Sequence, residues 1–256
     1  MGFVLVVGLI SLIMPAGPGE ENYYNEEKVK YDGNISAPSS PILFQPMFVW
    51  NDAEPTFQGT GFFVSSSDKQ IAAVTSSHFI DTEGSRLKKA YWLNISEERF
   101  EPVASFARIW GKLGNGGSDF PMDLRYDYLI MPPENAVPDS CVLELDDRVR
   151  LKRHEGVWFP NKDPQSPAGY TLVDGMVTET QENYHAVILK DHVEFQSQSG
   201  SPVISKLTGK VIGTLSRAGY TEKNKPVMYL APSHSIKHAV DGDAKLTDLS
   251  EAVGKK

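Results

Sequence analysis

Three short runs carry side chains that together make a nucleophile, a base and a group to orient the base. The first is Phe195-Gln196-Ser197-Gln198-Ser199-Gly200-Ser201-Pro202, a serine-rich turn with apolar neighbours on both sides: Val193 and Phe195 before it, Val203 and Ile204 after. Gly200 lets the backbone turn sharply, and Pro202 opens the next strand without donating a hydrogen bond. A hydroxyl on such a turn points outward, while neighbouring N–H groups can converge on one spot. A serine nucleophile needs both features. The second run, Ile71-Ala72-Ala73-Val74-Thr75-Ser76-Ser77-His78, is an apolar strand that ends in small residues and then an imidazole. An imidazole takes and returns protons near neutral pH, as a general base and later a general acid must. The third, Asp127-Tyr128-Leu129-Ile130-Met131, is a carboxylate opening another apolar strand. Asp123 and Asp119 lie nearby and compete for that role.

With Gly59-Thr60-Gly61-Phe62 placed before the histidine, the order is G-T-G-F, T-S-S-H, D-Y-L-I, S-G-S-P. This order resembles the trypsin-like (chymotrypsin-fold) serine proteases, above all their compact bacterial HtrA-like members. The resemblance covers about residues 57–239 and rests on motif placement. It implies Ser199 as nucleophile, His78 as base and Asp127 as the acceptor for the far ring nitrogen. It also implies an oxyanion hole made by the N–H groups of Ser197 and Ser199. The family usually has glycine where this chain has Ser197, a position that asks for a conformation glycine takes most easily. Gln198 replaces the aspartate that pairs with a newly cut N-terminus in trypsin-type zymogens. An amide cannot form that ion pair, so activation by N-terminal insertion is not expected.

Alignment with the family's specificity pocket puts Val193 near the base, Ser216, Arg217 and Ala218 along one wall, and Val227 or Met228 near the other. With no acid to meet Lys or Arg, the expectation is a shallow apolar pocket for small or aliphatic side chains. Arg217 and His234 leave a preference for an acidic residue as the alternative. His154, His185, His192, His234 and His238 have no matching context and read as surface or structural. No cofactor is expected. No His, Cys and carboxylate cluster has metal-site spacing.

The elements needed to hold these groups are legible as short β-type runs broken by turn residues. They fall at residues 44–50, 61–65, 70–74, 89–93, 100–110 and 128–131, and again at 143–153, 156–160, 170–177, 186–189, 210–216 and 226–230. This pattern predicts an all-β fold: two six-stranded antiparallel barrels, about 41–131 and 143–231, with the site at their interface. A short helix follows over 232–240, with Ser233 or Ser235 as N-cap. Residues 242–256 read as a polar tail that frays, and residues 20–40 as a linker. A chain of 256 residues with 40% apolar content supports a core of this size.

Net charge is −8, which disfavours a sequence-independent grip on nucleic acid. Cys141 is the sole cysteine, so no intramolecular disulfide forms. Residues 1–14 are apolar and are followed by Pro15-Ala16-Gly17-Pro18-Gly19. That pattern suits a signal peptide or N-terminal anchor over 1–19, and hence a secreted or periplasmic protein. A buried N-terminal strand or helix is the other reading, since no Lys or Arg precedes the run. The sequons at Asn34 and Asn94 are read as chance. Polypeptide is the expected partner, with no stable membrane span after processing. The competing functions are a serine endopeptidase, a catalytically impaired relative kept as a binding or scaffold module, and an unrelated β-barrel binding domain.

Overall fold

The computed structural model describes residues 35–51, 53–78, 80, 86–96, 101–111, 113, 122–242 and 245–253. The expected signal segment, residues 20–34 of the linker, Asn34, most of the 111–118 loop and Asp119 lie outside the described residues. No helix among the described residues is long and apolar enough to cross a membrane.

The first half is a mostly antiparallel sheet of β1 (Phe44–Trp50), β2 (Thr56–Phe57), β3 (Gly61–Ser65), β4 (Ile71–Thr75), β5 (Leu87–Asn94), β6 (Pro102–Phe106), β8 (Leu129–Met131) and β9 (Val142–Glu144), with β7 (Arg108–Trp110) leading out of β6. The path runs β6-β5-β1-β3-β4-β8, with β2 on β1 and β9 on β3. Alternation in β1 buries Phe44, Pro46, Phe48 and Trp50 on one face and half-exposes Gln45, Met47 and Val49, the period a one-sided sheet requires. Phe44, Phe63, Trp92 and Phe106 meet in an aromatic cluster, with Phe44–Phe63 and Phe63–Trp92 centroids both 4.9 Å apart.

The second half is a closed barrel in the order β10-β11-β12-β15-β14-β13. Its strands are β10 (Gly156–Lys162), β11 (Tyr170–Thr180), β12 (His185–Leu189), β13 (Pro202–Ser205), β14 (Val211–Tyr220) and β15 (Pro226–Pro232). The interior is largely aliphatic, built from residues such as Val157, Val187, Val203, Ile212 and Leu230. Helix α1 (Ser233–Asp241) follows. Neither expected serine caps it. Pro232 is the N-cap, and Ser233 Oγ donates to the Asp146 carbonyl at 2.7 Å.

The expected two-part all-β fold is present, with the first half a half-barrel among the described residues. Two expectations are corrected. The 143–153 run does not start the second barrel. Its strand part, β9, pairs parallel with β3 in the first sheet, while Arg148 is held by Asp146 and Glu155. The C-terminal residues do not fray throughout. β16 (Leu246–Asp248) pairs with β7, and α2 (Leu249–Ala252) follows, burying Leu249 and Val253 in the first half's core. The signal that was missed is the apolar pair Leu249 and Val253 at i,i+4, one helical stripe inside a polar stretch.

Candidate active site

β4 and β8 are adjacent antiparallel strands, with Thr75 opposite Leu129. His78 lies three residues past the end of β4 and Asp127 two before the start of β8, so both emerge at the same edge of the first sheet. His78 Nδ1 stands 2.8 Å from Asp127 Oδ2. Asp127 is fully buried. Its Oδ1 accepts from the N–H of His78 at 2.9 Å, the N–H of Ser77 at 3.1 Å and the Ser77 hydroxyl at 3.0 Å. Ser216 donates its hydroxyl to Oδ2 from the second barrel. Burial opposes ionisation of this carboxyl, but His78, Ser216 and Ser77 together outweigh it and hold the group below the usual carboxylate range. An ionised acceptor in this position fixes the imidazole with Nδ1 as donor and Nε2 as acceptor.

Nε2 is 3.1 Å from Ser199 Oγ. Ser199 sits on the connection from β12 to β13, strands that are not neighbours in the barrel, so the chain must cross the barrel's end. It does so through two tight turns. Gln198 N–H donates to the Phe195 carbonyl at 3.1 Å, with Ser197 at φ +59°. Ser201 N–H donates to the Gln198 carbonyl at 3.0 Å, with Gly200 at φ +91°. A positive φ at the third residue of a four-residue turn marks type II, in which the central peptide is flipped relative to type I. Serine therefore takes the left-handed conformation that sequence reasoning assigned to glycine at position 197. Among the described residues, neither the Ser197 nor the Ser199 N–H donates a backbone hydrogen bond.

Thr60 of the G-T-G-F run locks this turn to the first half. Its N–H donates to the Ser199 carbonyl at 2.8 Å, and its hydroxyl meets Ser201 Oγ at 2.7 Å. Thr75 returns a hydrogen bond to the Thr60 carbonyl at 2.6 Å. A side chain at Gly200 would run into that carbonyl and lie 2.6 Å from Thr75 Oγ1, so the glycine is required by space as well as by φ. The buried Gln198 amide is tied to β10: Nε2 donates to Asn161 Oδ1 at 2.7 Å and Oε1 accepts from the Lys162 N–H at 3.2 Å. Sequence reasoning singled out Gln198 but missed the positioning work of Thr60, Ser77 and Ser216. For Thr60 and Ser77 the signal was the small hydroxyl residues packed into G-T-G-F and T-S-S-H; Ser216 carried none.

Of the expected pocket residues, Val193 is buried with Met228 and Leu215 in the second barrel's apolar core, and Phe195 packs against that cluster. Ser216 aims its hydroxyl at Asp127 rather than at an open wall. Arg217 is half-buried and Ala218 exposed along the outer part of β14, where Ala218 pairs with Met228 and Gly219 with Val227 of β15. Val227 is half-buried. His234 is not grouped with Arg217. Its ring packs beside His185, centroids 6.3 Å apart.

By sequence the chain matches no protein-family model and no curated protein. By structure it is similar to the catalytically active tobacco etch virus protease complexed with product, with TM-score 0.54, 11% identity and 90% of each chain covered. It is also similar to human heparin binding protein, with TM-score 0.55, 14% identity, and 83% of this chain and 96% of that one covered. The shared architecture is the chymotrypsin fold.

Proposed function

We propose that this protein is a serine endopeptidase that works through an acyl-enzyme, with Ser199 as nucleophile, His78 as general base and Asp127 as its orienting partner. The observation that carries this reading is the hydrogen-bonded series Ser199 Oγ, His78 Nε2, His78 Nδ1, Asp127 Oδ2, assembled from residues 121 positions apart at the junction of the two halves. In the first step Ser199 Oγ attacks the peptide carbonyl while its proton passes to His78 Nε2. The imidazolium is stabilised by Asp127 and gives that proton to the leaving amine as the C–N bond breaks. Water then enters, loses a proton to His78, and cleaves the ester to release the acid and restore Ser199. The N–H groups of Ser197 and Ser199 serve as oxyanion donors, and the left-handed φ of Ser197 supports that role. The scaffold alternative rested on serine standing in glycine's place at 197, and the same φ weighs against it. The Gln198 amide, already engaged by β10, supports activity without N-terminal insertion. The apolar residues 1–14 support export.

A fluorophosphonate probe tests the reading. The wild-type protein is expected to label at Ser199, and Ser199→Ala and His78→Ala are expected to lose labelling. A folded wild-type protein that does not label would overturn it.

A further inference from the structure

Next to Ser199, the approaching loop and strand β14 are joined by main chain: Gly200 N–H donates to the Leu215 carbonyl and Leu215 N–H to the Ser201 carbonyl, each at 2.8 Å. Upstream of Gly200 and downstream of Leu215 the two segments run on as separate walls. They are joined again by a side chain. The Tyr220 hydroxyl donates to the Val193 carbonyl at 2.6 Å. The Tyr220 ring stacks on His192, centroids 5.1 Å apart at 13°, and meets Phe195 at 5.8 Å. Phe195 in turn leans on Phe159 at 6.5 Å. Residues 193–200 and 215–220 therefore bound a closed frame, with backbone hydrogen bonds at the Ser199 end and a tyrosine at the other.

Period-two alternation puts Ala218 and Tyr220 on one face of β14. Gly219 faces the other way, and a Cβ there would meet nothing within 4 Å. The frame is thus lined by a methyl group and the tyrosine on the β14 side, and by the loop backbone on the other. Behind it, Val193 and Met228 are buried and apolar.

We propose that Tyr220 sets substrate choice by limiting the residue on the acyl side of the cut to small uncharged side chains such as Ala, Ser or Val. This inference rests on the endopeptidase reading, because a peptide carbonyl at Ser199 Oγ directs the preceding side chain into this frame. One tyrosine bridges the walls, so they stand no further apart than its length. A phenyl or lysyl side chain would have to displace the ring, breaking its bond to Val193 and its contacts with His192 and Phe195.

The test is a peptide library cleaved by the wild-type protein, Tyr220→Phe and Tyr220→Ala, with fluorophosphonate labelling of Ser199 in parallel. The wild-type protein is expected to favour Ala, Ser or Val over Phe by at least about tenfold in kcat/KM, the scale on which pocket size discriminates. Tyr220→Ala is expected to reverse or erase that ratio. Tyr220→Phe keeps the ring and loses the tie, and is expected to fall between the two. A wild-type preference for Phe, Leu, Lys or Arg would overturn the inference, as would one unchanged profile for all three proteins. Labelling with unchanged preference overturns this inference alone. No labelling of folded wild-type protein overturns the endopeptidase reading and this inference with it. Should Tyr220→Ala fail to fold, the Tyr220→Phe ratio decides.

Discussion

The two halves solve the problem of presenting reactive groups in different ways. The first is a half-barrel on an aromatic core, finished by β16 and α2 returning from the far end of the chain. It delivers His78 and Asp127 by adjacency, because neighbouring strands end at the same edge. The second is closed, and its interior is largely aliphatic. It delivers Ser199 by a loop thrown across the barrel's end and held by turns, a glycine and hydrogen bonds from Thr60. A base and its partner must share one hydrogen bond, which strand pairing supplies directly. A nucleophile must stand clear of its barrel with N–H groups unspent, which regular pairing would not allow. Ser216 links them in the other direction, a second-barrel hydroxyl on the first half's carboxylate.

The largest expected effect breaks the first half's contribution. Asp127→Asn keeps an acceptor for the Ser77 and His78 N–H groups but turns an N–H₂ toward His78 Nδ1. That favours the wrong tautomer, with a proton on Nε2 facing Ser199. We expect kcat/KM on a peptide substrate to fall by about 10⁴-fold with little change in fold. A loss below about tenfold would show that the carboxylate does not orient the imidazole.

Gly200→Ala breaks the seam itself. The new methyl group meets the Thr60 carbonyl at a φ of +91°, so the loop must lift away from the first half. Left-handed strain and overpacking together predict a loss of about 3 kcal/mol in urea unfolding, with slower labelling of Ser199. Unchanged stability would mean that Thr60 does not clamp the turn.

A pH titration separates the halves. His185, in the second barrel, is fully buried. Its Nδ1 is 3.3 Å from Thr180 Oγ1, and its Nε2 has no partner among the described residues. Burial, with the neighbouring His234, pulls its pKa down to about 4; Asp146 pulls it up and Arg148 down, while Glu182 and Arg125 act on His234. The unfolded chain takes up this proton near its ordinary value of about 6.5 and the native protein does not until about pH 4. Stability from this group is therefore full above about pH 6.5 and is lost as pH falls toward about 4. Between about pH 7 and about pH 5 the wild-type protein should lose about 2 kcal/mol that His185→Leu keeps, read as the difference in urea midpoints. Parallel pH profiles for the two proteins would remove His185 as the cause.

What was legible beforehand follows the same division. The strands and the His–Asp–Ser order were readable because each lies in a short run whose alternation and neighbours are local. Closure was not. Nothing around residues 142–144 distinguishes a strand that joins β3 in parallel from one that starts the next barrel, since the choice depends on partners about 80 residues away. The C-terminal return was hidden for the same reason. Leu249 and Val253 form too short a stripe to outweigh their polar surroundings until the first half's core is there to receive them. Ser216 read as a pocket wall from its place in the run 210–216 and its alignment with the family. Only the fold reveals that its hydroxyl faces Asp127.

The smallest effect tests whether the crossing loop is ready before substrate arrives. Ser197 holds φ +59° with a Cβ that costs about 1–2 kcal/mol there. Ser197→Gly removes that cost but gives the unfolded chain more freedom, a debit of about 0.4–1 kcal/mol. A net gain of about 1 kcal/mol or less is expected in urea unfolding, with the rate of Ser199 labelling within a few-fold of wild type. If labelling instead accelerates by tenfold or more, the N–H of residue 197 is not preset in the wild-type protein, and serine at this position restrains the second half's contribution. If stability falls, the strain assigned to Ser197 is absent.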